Sequence, residues 1–512
     1  MVKFFLMDEE EVSRPARPLP AAAIAFALGL AGDLLLRALP WGVNAAIWTV
    51  LILGGVIWLM RRERPQPVAS IAFAAIGALL AAACIAWRDS SVLVALDILL
   101  LALFLLFLSL DTRQVVLWST GIARLIAAIF FTIVFAIPGM FQLLLADVRW
   151  RELRPGLIGR RALIVLRGLV IALPLLLLFS VLLSSADAAF SGLLSNVFNI
   201  DLPRLIGHVV LTIVLTFLTA GFLRATLRGP AVPDADRPSF FHLGAAETNI
   251  AIGLVDVLFA AFVAVQFRYF FGGADLVRLA PKLTYAEYAR HGFFELVTVA
   301  ALVVPLLLFA DWISDRREAA GAKTFRILAL IQVLLVGVML VSAYRRMQLY
   351  VDEYGLTELR LYTTAFMFWL GALLVWFAVT VLTGNRTRFL IGALASGVVV
   401  VLALHAVDPD NRIVRTNVER AAAGKRALDM TYATSLSADA TPALIAALPL
   451  LPEPQRLCAA HHLLWLDVKD NRDWRSWNAS RTRAHAAIDE HRAELVAMGS
   501  RCPGAAPYPK RD

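Results

Sequence analysis

Charged residues are scarce in this chain. Asp, Glu, Lys and Arg make up 17% of its 512 residues and hydrophobic residues 60%, whereas about a quarter of a soluble domain is charged. The apolar residues form continuous blocks, such as 91–110 and 170–183, that are longer than a buried strand. The shortage of charge therefore argues against a soluble domain, and the blocks favour membrane-spanning helices.

The alternating ten-residue segments that mark a transmembrane β-barrel are also missing. The sequence therefore predicts an all-α fold, a polytopic transmembrane bundle of about eleven spans, or twelve at most, followed by a small C-terminal helical domain. The apolar runs that carry this prediction are 19–39, 41–60, 67–87, 91–110, 115–146, 162–183, 205–225, 248–269, 292–312, 325–344, 359–382 and 389–407.

The N-terminus lacks the basic, then apolar, then small-residue order of a cleavable signal peptide. Acidic residues, Asp8 to Glu11, stand where the basic region would be. We expect a polar tail over 1–18, a transmembrane domain over 19–407 and an extramembrane helical domain over 408–512.

The net charge of +9 does not indicate nucleic-acid binding, because the basic residues lie in short loops between apolar runs. If every run crosses the membrane, Lys and Arg are divided about equally between its two sides. If the segment 115–146 is re-entrant or interfacial, roughly 22 Lys and Arg residues lie on the cytoplasmic side and roughly 10 on the opposite side. We therefore predict a protein of the inner-membrane type with a cytoplasmic N-terminus and a periplasmic C-terminal domain. A plain span kinked at Pro138-Gly139 is the alternative.

Cysteine is rare, with three residues in the whole chain. Cys84 lies in an apolar run and is expected to be a small apolar filler. Cys458 and Cys502 both belong to the C-terminal domain, and a periplasmic location would allow them to form a disulfide. Two free buried thiols are the alternative.

Ionisable residues inside spans are costly and are therefore candidates for function. Asp97 and Asp256 lie deepest in their runs, whereas Asp33, His208 and His405 are near span ends. A structural hydrogen bond between helices is the alternative for each.

The densest polar region lies in two stretches, 266–295 and 350–362, which our topology puts on one side of the membrane. In a helix, Glu287 and Glu295 would share a face. The pattern favours a capped helix with an aromatic belt, and a polar gate or ligand site is the alternative. The candidate residues are Gln266, Tyr285, Glu287, Tyr288, Arg290, Glu295, Glu353, Tyr354 and Arg360.

Motifs for catalysis or cofactor binding are not found in the sequence. His461 and His462 are adjacent and would diverge on a helix, and the chain lacks zinc-ligand cysteine spacing, a phosphate loop, a dinucleotide fingerprint and a nucleophile elbow. We therefore predict no catalytic residue, metal or cofactor. The leading hypothesis is a binding, scaffolding or regulatory envelope protein that contacts the lipid bilayer and a protein partner through 408–512. The alternatives are a transporter or channel-like permease and an enzyme acting on a lipid-linked substrate.

Several stretches resemble a bacterial membrane family known as domain of unknown function 4173, whose members are also labelled 4153. The resemblance extends from Leu173 to Asn478 and implies a multi-pass bacterial membrane protein without an assigned activity. Its matching pieces are Leu173-Pro174 through Asp187, Gln266 through Gly273, Thr284 through Leu296, Tyr354 through Tyr362, Leu436 through Ala440 and Asp473 through Asn478.

Overall fold

The computed structural model describes residues 18–63, 68–110, 120, 122–148, scattered positions over 168–187, and 202–228, 243–271, 293–315, 319–425, 428–469 and 473–503. Nearly all of these residues are helical. Ten of the described helices are long and apolar enough to cross a membrane. The predicted all-α polytopic bundle is therefore confirmed.

The helices before residue 408 follow the predicted apolar runs, although the run 162–183 falls largely outside the described residues. They are α1 (Pro18–Leu36), α2 (Val43–Glu63), α3 (Val68–Ile85), α4 (Ser91–Leu110), α5 (Ile122–Phe141), α6 (Leu202–Arg228), α7 (Ala245–Phe271), α8 (Phe293–Ile313), α9 (Ala319–Tyr354), α10 (Glu358–Thr380) and α11 (Arg386–Val407). A two-residue parallel pair joins β1 (Leu243–Gly244) to β2 (Ser314–Asp315).

The α5 helix does not stop at Pro138, where the sequence suggests a break. It continues to Phe141 and then changes to π-helical geometry over Gln142–Asp147. The donor that Pro138 lacks would bond the carbonyl of Val134, one turn before it, so the π-helical turns after Phe141 are a separate feature of this segment.

The described chain forms two compact units, of which the first comprises 1–79, 103–115 and 128–232. Small residues on one face of α1 allow α6 to approach closely. A Cβ added at Gly29 would meet Thr216 and the carbonyl of Thr212, and one added at Gly32 would meet Leu215 and Trp48. Small residues at helix contacts replace the hydrophobic driving force that lipid does not provide.

The second unit comprises 80–102, 116–127 and 233–512. Its membrane part is built around α8, α9 and α10, whose buried core contains Leu307, Phe325 and Phe377. The α9 helix has 36 residues and is about 54 Å long at 1.5 Å per residue, more than a bilayer core needs.

The part of the second unit after residue 408 is built from short helices around a separate apolar cluster that includes Ile413, Leu444, Leu463 and Leu495. The sequence predicts this helical character, and Cys458 and Cys502 are joined in a disulfide. The helices are α12 (Pro409–Ala422), α13 (Met430–Ser435), α14 (Thr441–Ala447), α15 (Glu453–Lys469), α16 (Ala479–Glu490) and α17 (Arg492–Gly499).

Candidate functional site

Arg88 lies in the five-residue connection between α3 and α4 and is only 6% exposed. Its Nε and Nη2 donate to the carbonyl of His405 at 2.9 and 2.7 Å, at the end of α11. Its Nη1 donates to Oδ1 of Asp439 at 3.0 Å and pairs with Asp408. One buried guanidinium therefore joins the α3–α4 connection to α11 and to the chain that follows it.

The backbone of Asp408 adopts a left-handed conformation, with φ of 57°, between α11 and α12. Aspartate is among the few non-glycine residues that tolerate this region. The sharp turn starts α12 immediately after α11, with Pro409 at its first position.

A second ion pair lies beside the first. Asp89 pairs with Arg481, and its backbone N–H donates to Oδ2 of Asp439 at 2.8 Å. Burial raises the pKa of Asp89, while the charge of Arg481 opposes that rise. We refer to Arg88, Asp89, Asp408, Asp439 and Arg481 as the Arg88 network.

The first turn of α16 is bonded to the end of α3. The Asn478 amide donates to the carbonyls of Ile85 and Arg88 at 2.9 Å each, and its side-chain oxygen caps α16 by accepting from Ser480 and Arg481. The N–H of Ala479 also donates to the carbonyl of Ala86 at 2.9 Å. These bonds satisfy donors and acceptors that helix termini leave unpaired.

The network carries more carboxylates than guanidinium groups, with three Asp against two Arg. Burial and the nearby charge of Asp439 raise the pKa of Asp408, and Arg88 opposes them. Asp410, one turn away, is 1% exposed, and burial raises its pKa to about 6 although Ser437 donates to it. The excess negative charge makes the uptake of a proton easier here than at isolated surface aspartates.

A second buried cluster lies within the membrane helices beside Arg88. Nε2 of His405 is 3.1 Å from Oδ2 of Asp97, and Nδ1 of His405 is 2.9 Å from the carbonyl of Val401. Cys84 completes the group, and one ligand atom from each of Cys84, Asp97 and His405 lies within 4.8 Å of the others. We refer to these three residues as the Cys84 cluster.

The other predicted intramembrane charge, Asp256, lies in a different setting. Neither of its carboxylate oxygens has a hydrogen-bond partner among the described residues, and the same is true of both amide atoms of Gln332. Contacts of Asn249 with Gly321 and of Gln266 with Ser342 fix the register of α7 against α9. In that parallel register, Asp256 and Gln332 are at equivalent heights.

The predicted polar cluster is only partly described, because Tyr285, Glu287, Tyr288 and Arg290 lie outside the described residues. Of its other members, Gln266 accepts bonds from Ser342 and Arg346 at 2.7 and 3.3 Å, whereas Glu295, Glu353 and Tyr354 are exposed.

Arg360 lies 4.1 Å over the Tyr350 ring and donates to the carbonyl of Gly355. It lines a pocket of about 250 Å³ together with Phe293 and Phe294. The start of α8 and the α9–α10 connection therefore both line this pocket, and Arg360 is the one predicted site residue among its described lining residues. The ligand site itself stays a prediction.

The Arg88 network was not found by sequence reasoning. Arg88 and Asp408 look like ordinary loop charges, and the segments that the network joins are more than 300 residues apart. A usable signal was present nevertheless. The stretches Leu436 through Ala440 and Asp473 through Asn478, which carry part of the family resemblance, contain Asp439 and Asn478.

A family model described as Domain of unknown function (DUF4153) matches residues 75–447, which include the Cys84 cluster and most of the Arg88 network. No curated protein and no solved structure matches the chain.

Proposed function

Since the chain belongs to the family described as Domain of unknown function (DUF4153), we propose a function from its own geometry. The protein is a regulatory or scaffolding protein of the bacterial inner membrane. Its C-terminal domain, residues 408–512, binds a protein partner in the periplasm, and the bundle anchors that domain. The Arg88 network is the observation that carries this proposal.

The chemistry of the network favours a specific contact over simple anchoring. Burying ions is costly, and well-packed apolar residues hold two surfaces together equally well or better. An ion network has the advantage of geometric selectivity, because a shifted register leaves charges buried without partners. The Arg88–Asp439 contact therefore suits a domain that must keep a defined orientation on the bundle.

A pocket in the C-terminal domain is the proposed contact for the partner. It has a volume of about 320 Å³, an apolar lining that includes Ile445 and Met498, and polar groups from Arg456, His491 and Glu494. An apolar lining with a few polar groups is typical of sites that hold an anchor side chain. The partner's contacting segment is therefore expected to present an apolar side chain.

Two contacts of the first unit support the proposed topology. Asp33 at the end of α1 pairs with His208 near the start of α6 at 2.6 Å, so these two ends share one side of the membrane. Asp147, which follows α5, pairs with Arg224 near the end of α6 at 2.7 Å. Because α6 spans the membrane, Asp147 lies on the opposite side from Asp33.

Between Asp33 and Asp147 the chain passes through α2, α3, α4 and α5. Three crossings put Asp147 on the opposite side, whereas four would return it to the side of Asp33. The segment α5 is the one that does not cross.

Contacts of the second unit support the same count. Arg88 binds Asp408 and Asp439, so an even number of crossings must separate Ser91 from Val407. The helices α4 and α6 to α11 together with the run 162–183 give eight crossings, and α5 would make nine. Eleven spans result for the whole chain, and this odd number puts the two termini on opposite sides of the membrane.

The Cys458–Cys502 disulfide favours the oxidising periplasm for the C-terminal domain.

The topology is tested with reporters fused to the full upstream chain after Arg161 and after Asp408. We expect a cytoplasmic signal after Arg161 and a periplasmic signal after Asp408. A cytoplasmic signal after Asp408 would overturn the side assignment, and a periplasmic signal after Arg161 would mean that α5 crosses.

The partner pocket is tested in cells by incorporating a photo-crosslinking amino acid at Ala446, an exposed residue of the pocket lining, and at Ala486, an exposed residue outside it. We expect one discrete protein adduct from Ala446, identified by mass spectrometry, and none from Ala486. Equal adducts at both positions, or none at either, contradict a partner site in this pocket.

The unpaired groups of Asp256 and Gln332 favour a second candidate function, an ion or proton pathway. Buried carboxylates without partners inside a membrane are often part of such a pathway. Proteoliposome flux assays on the full chain test it, with Asp256→Asn as the variant and Asp311→Asn as a control. Flux lost only in Asp256→Asn supports a pathway, and unchanged flux removes it.

A further inference from the structure

Three residues of different helices meet at the Cys84 cluster, at the membrane end where the Arg88 network lies. Cys84 is 3% exposed, and Asp97 and His405 are fully buried. Cys84 and His405 lie in the last turns of α3 and α11, while Asp97 is two turns into α4. The cluster is therefore buried in protein near one end of these three helices.

The orientation of His405 leaves one ring nitrogen available. Its Nδ1 is positioned to donate to the Val401 carbonyl, and Nε2 faces the carboxylate of Asp97 at 3.1 Å. Histidines that bind metals commonly donate from the second nitrogen to a backbone carbonyl in this manner, which fixes the ring and exposes the other lone pair.

Asp97 supplies an independent indication of a missing ligand. Its Oδ1 is buried and has no hydrogen-bond partner in the described structure. An unpaired buried carboxylate oxygen costs free energy comparable to a lost charged hydrogen bond. A bound cation would remove that cost.

We propose that Cys84, Asp97 and His405 bind a divalent transition-metal ion of the zinc class. A thiolate, a carboxylate and a neutral imidazole carry two negative charges, so a dication makes the buried site neutral. The sulfur and nitrogen ligands favour zinc-like ions over magnesium or calcium, which prefer oxygen alone. Three protein ligands leave a fourth position for water or another ligand.

A proton shared between Asp97 and His405 is the competing explanation. It accounts for the 3.1 Å contact but leaves Oδ1 of Asp97 without a partner. The metal site stands apart from the proposed partner binding, because the pocket and its partner do not involve these residues.

Cobalt(II) provides a direct readout on the purified full chain. The chain has three cysteines, and two of them form the disulfide, so a sulfur-to-cobalt charge-transfer band can come only from Cys84. After treatment with a chelator, we expect one equivalent of Co²⁺ to produce this band and tetrahedral visible bands, and one equivalent of Zn²⁺ to remove them.

Variants assign the ligands. Cys84→Ser should abolish the charge-transfer band, and His405→Gln and Asp97→Asn should each weaken Co²⁺ binding at least about tenfold, since even loss of an outer-shell partner costs that much. His208→Gln, outside the cluster, should bind as the wild type does.

Measurements on the wild-type chain also distinguish a bound metal ion from a proton shared between Asp97 and His405. In the detergent-solubilised chain, Zn²⁺ bound at the cluster should protect the Cys84 thiol from alkylation. Metal analysis should find about one zinc per chain. A wild-type chain that shows no charge-transfer band and equal alkylation with and without Zn²⁺ overturns the proposal in favour of the shared proton.

Discussion

The two units use buried charge in different ways. In the first unit, the described ion pairs are small groups at helix ends, as where Asp33 contacts Arg37 and His208; the side chains of Asp33 and Arg37 are 7% and 31% exposed. In the second unit, the Arg88 network is continuous, and the side chains of Arg88 and Asp439 are 7% and 2% exposed. Small groups fix the ends of neighbouring helices, whereas the continuous network fastens segments that are far apart in sequence.

The largest expected effect comes from removing the centre of the network. Arg88→Ala leaves Asp439 and Asp408 buried without their cation, and loss of one partner from a buried pair costs about 3–5 kcal/mol. We expect the C-terminal domain to become sensitive to proteases while the first unit keeps its protection. Limited proteolysis with domain-specific detection measures this, and equal loss in both units would mean general misfolding.

The disulfide is the next largest contribution. It joins cysteines separated by 44 positions, and a loop of this length restricts the unfolded chain by about 4 kcal/mol in the chain-entropy model, with 2–4 kcal/mol typical. Cys458→Ser/Cys502→Ser should lower the unfolding temperature of the C-terminal domain. A reductant should reproduce the effect in the wild-type chain and leave the double variant, which lacks the bridge, unchanged.

The pH dependence of the second unit should be dominated by its buried carboxylates. Because the pKa of Asp410 is raised to about 6, the folded state binds a proton more tightly than the unfolded state. Stability should therefore fall by about 2–3 kcal/mol as pH rises from 4 through 6. Asp410→Asn should flatten this part of the curve, measured by thermal unfolding across pH; an unchanged slope assigns the effect to other groups.

The smallest effect is expected in the first unit. Arg37 is about one-third exposed and pairs with Asp33 within one helix turn, so Arg37→Ala should cost at most about 1 kcal/mol. The thermal unfolding used for Asp410 measures it, with Arg37→Lys as the control. A loss as large as that of Arg88→Ala would remove the distinction between small groups of ion pairs and a connected network.

Sequence reasoning identified the fold because spanning helices depend on local composition. Runs such as 91–110 and 389–407 correspond closely to α4 and α11, since one apolar helix satisfies its own backbone. The candidate site, in contrast, depends on contacts between helices that are far apart in the sequence. Asp97 was recognised as a buried charge, but its partner His405 comes from a helix 308 positions later, and no local pattern reports which helices are neighbours.

The central claim, that Arg88 couples the C-terminal domain to the α3–α4 connection, is tested most directly by a double-mutant cycle. Arg88→Met, Asp439→Asn and the double variant would be compared by the unfolding free energy of the C-terminal domain in the full chain. We expect a coupling energy of about 1.5–3 kcal/mol, as for directly paired charges. Additivity within about 0.5 kcal/mol would contradict the account.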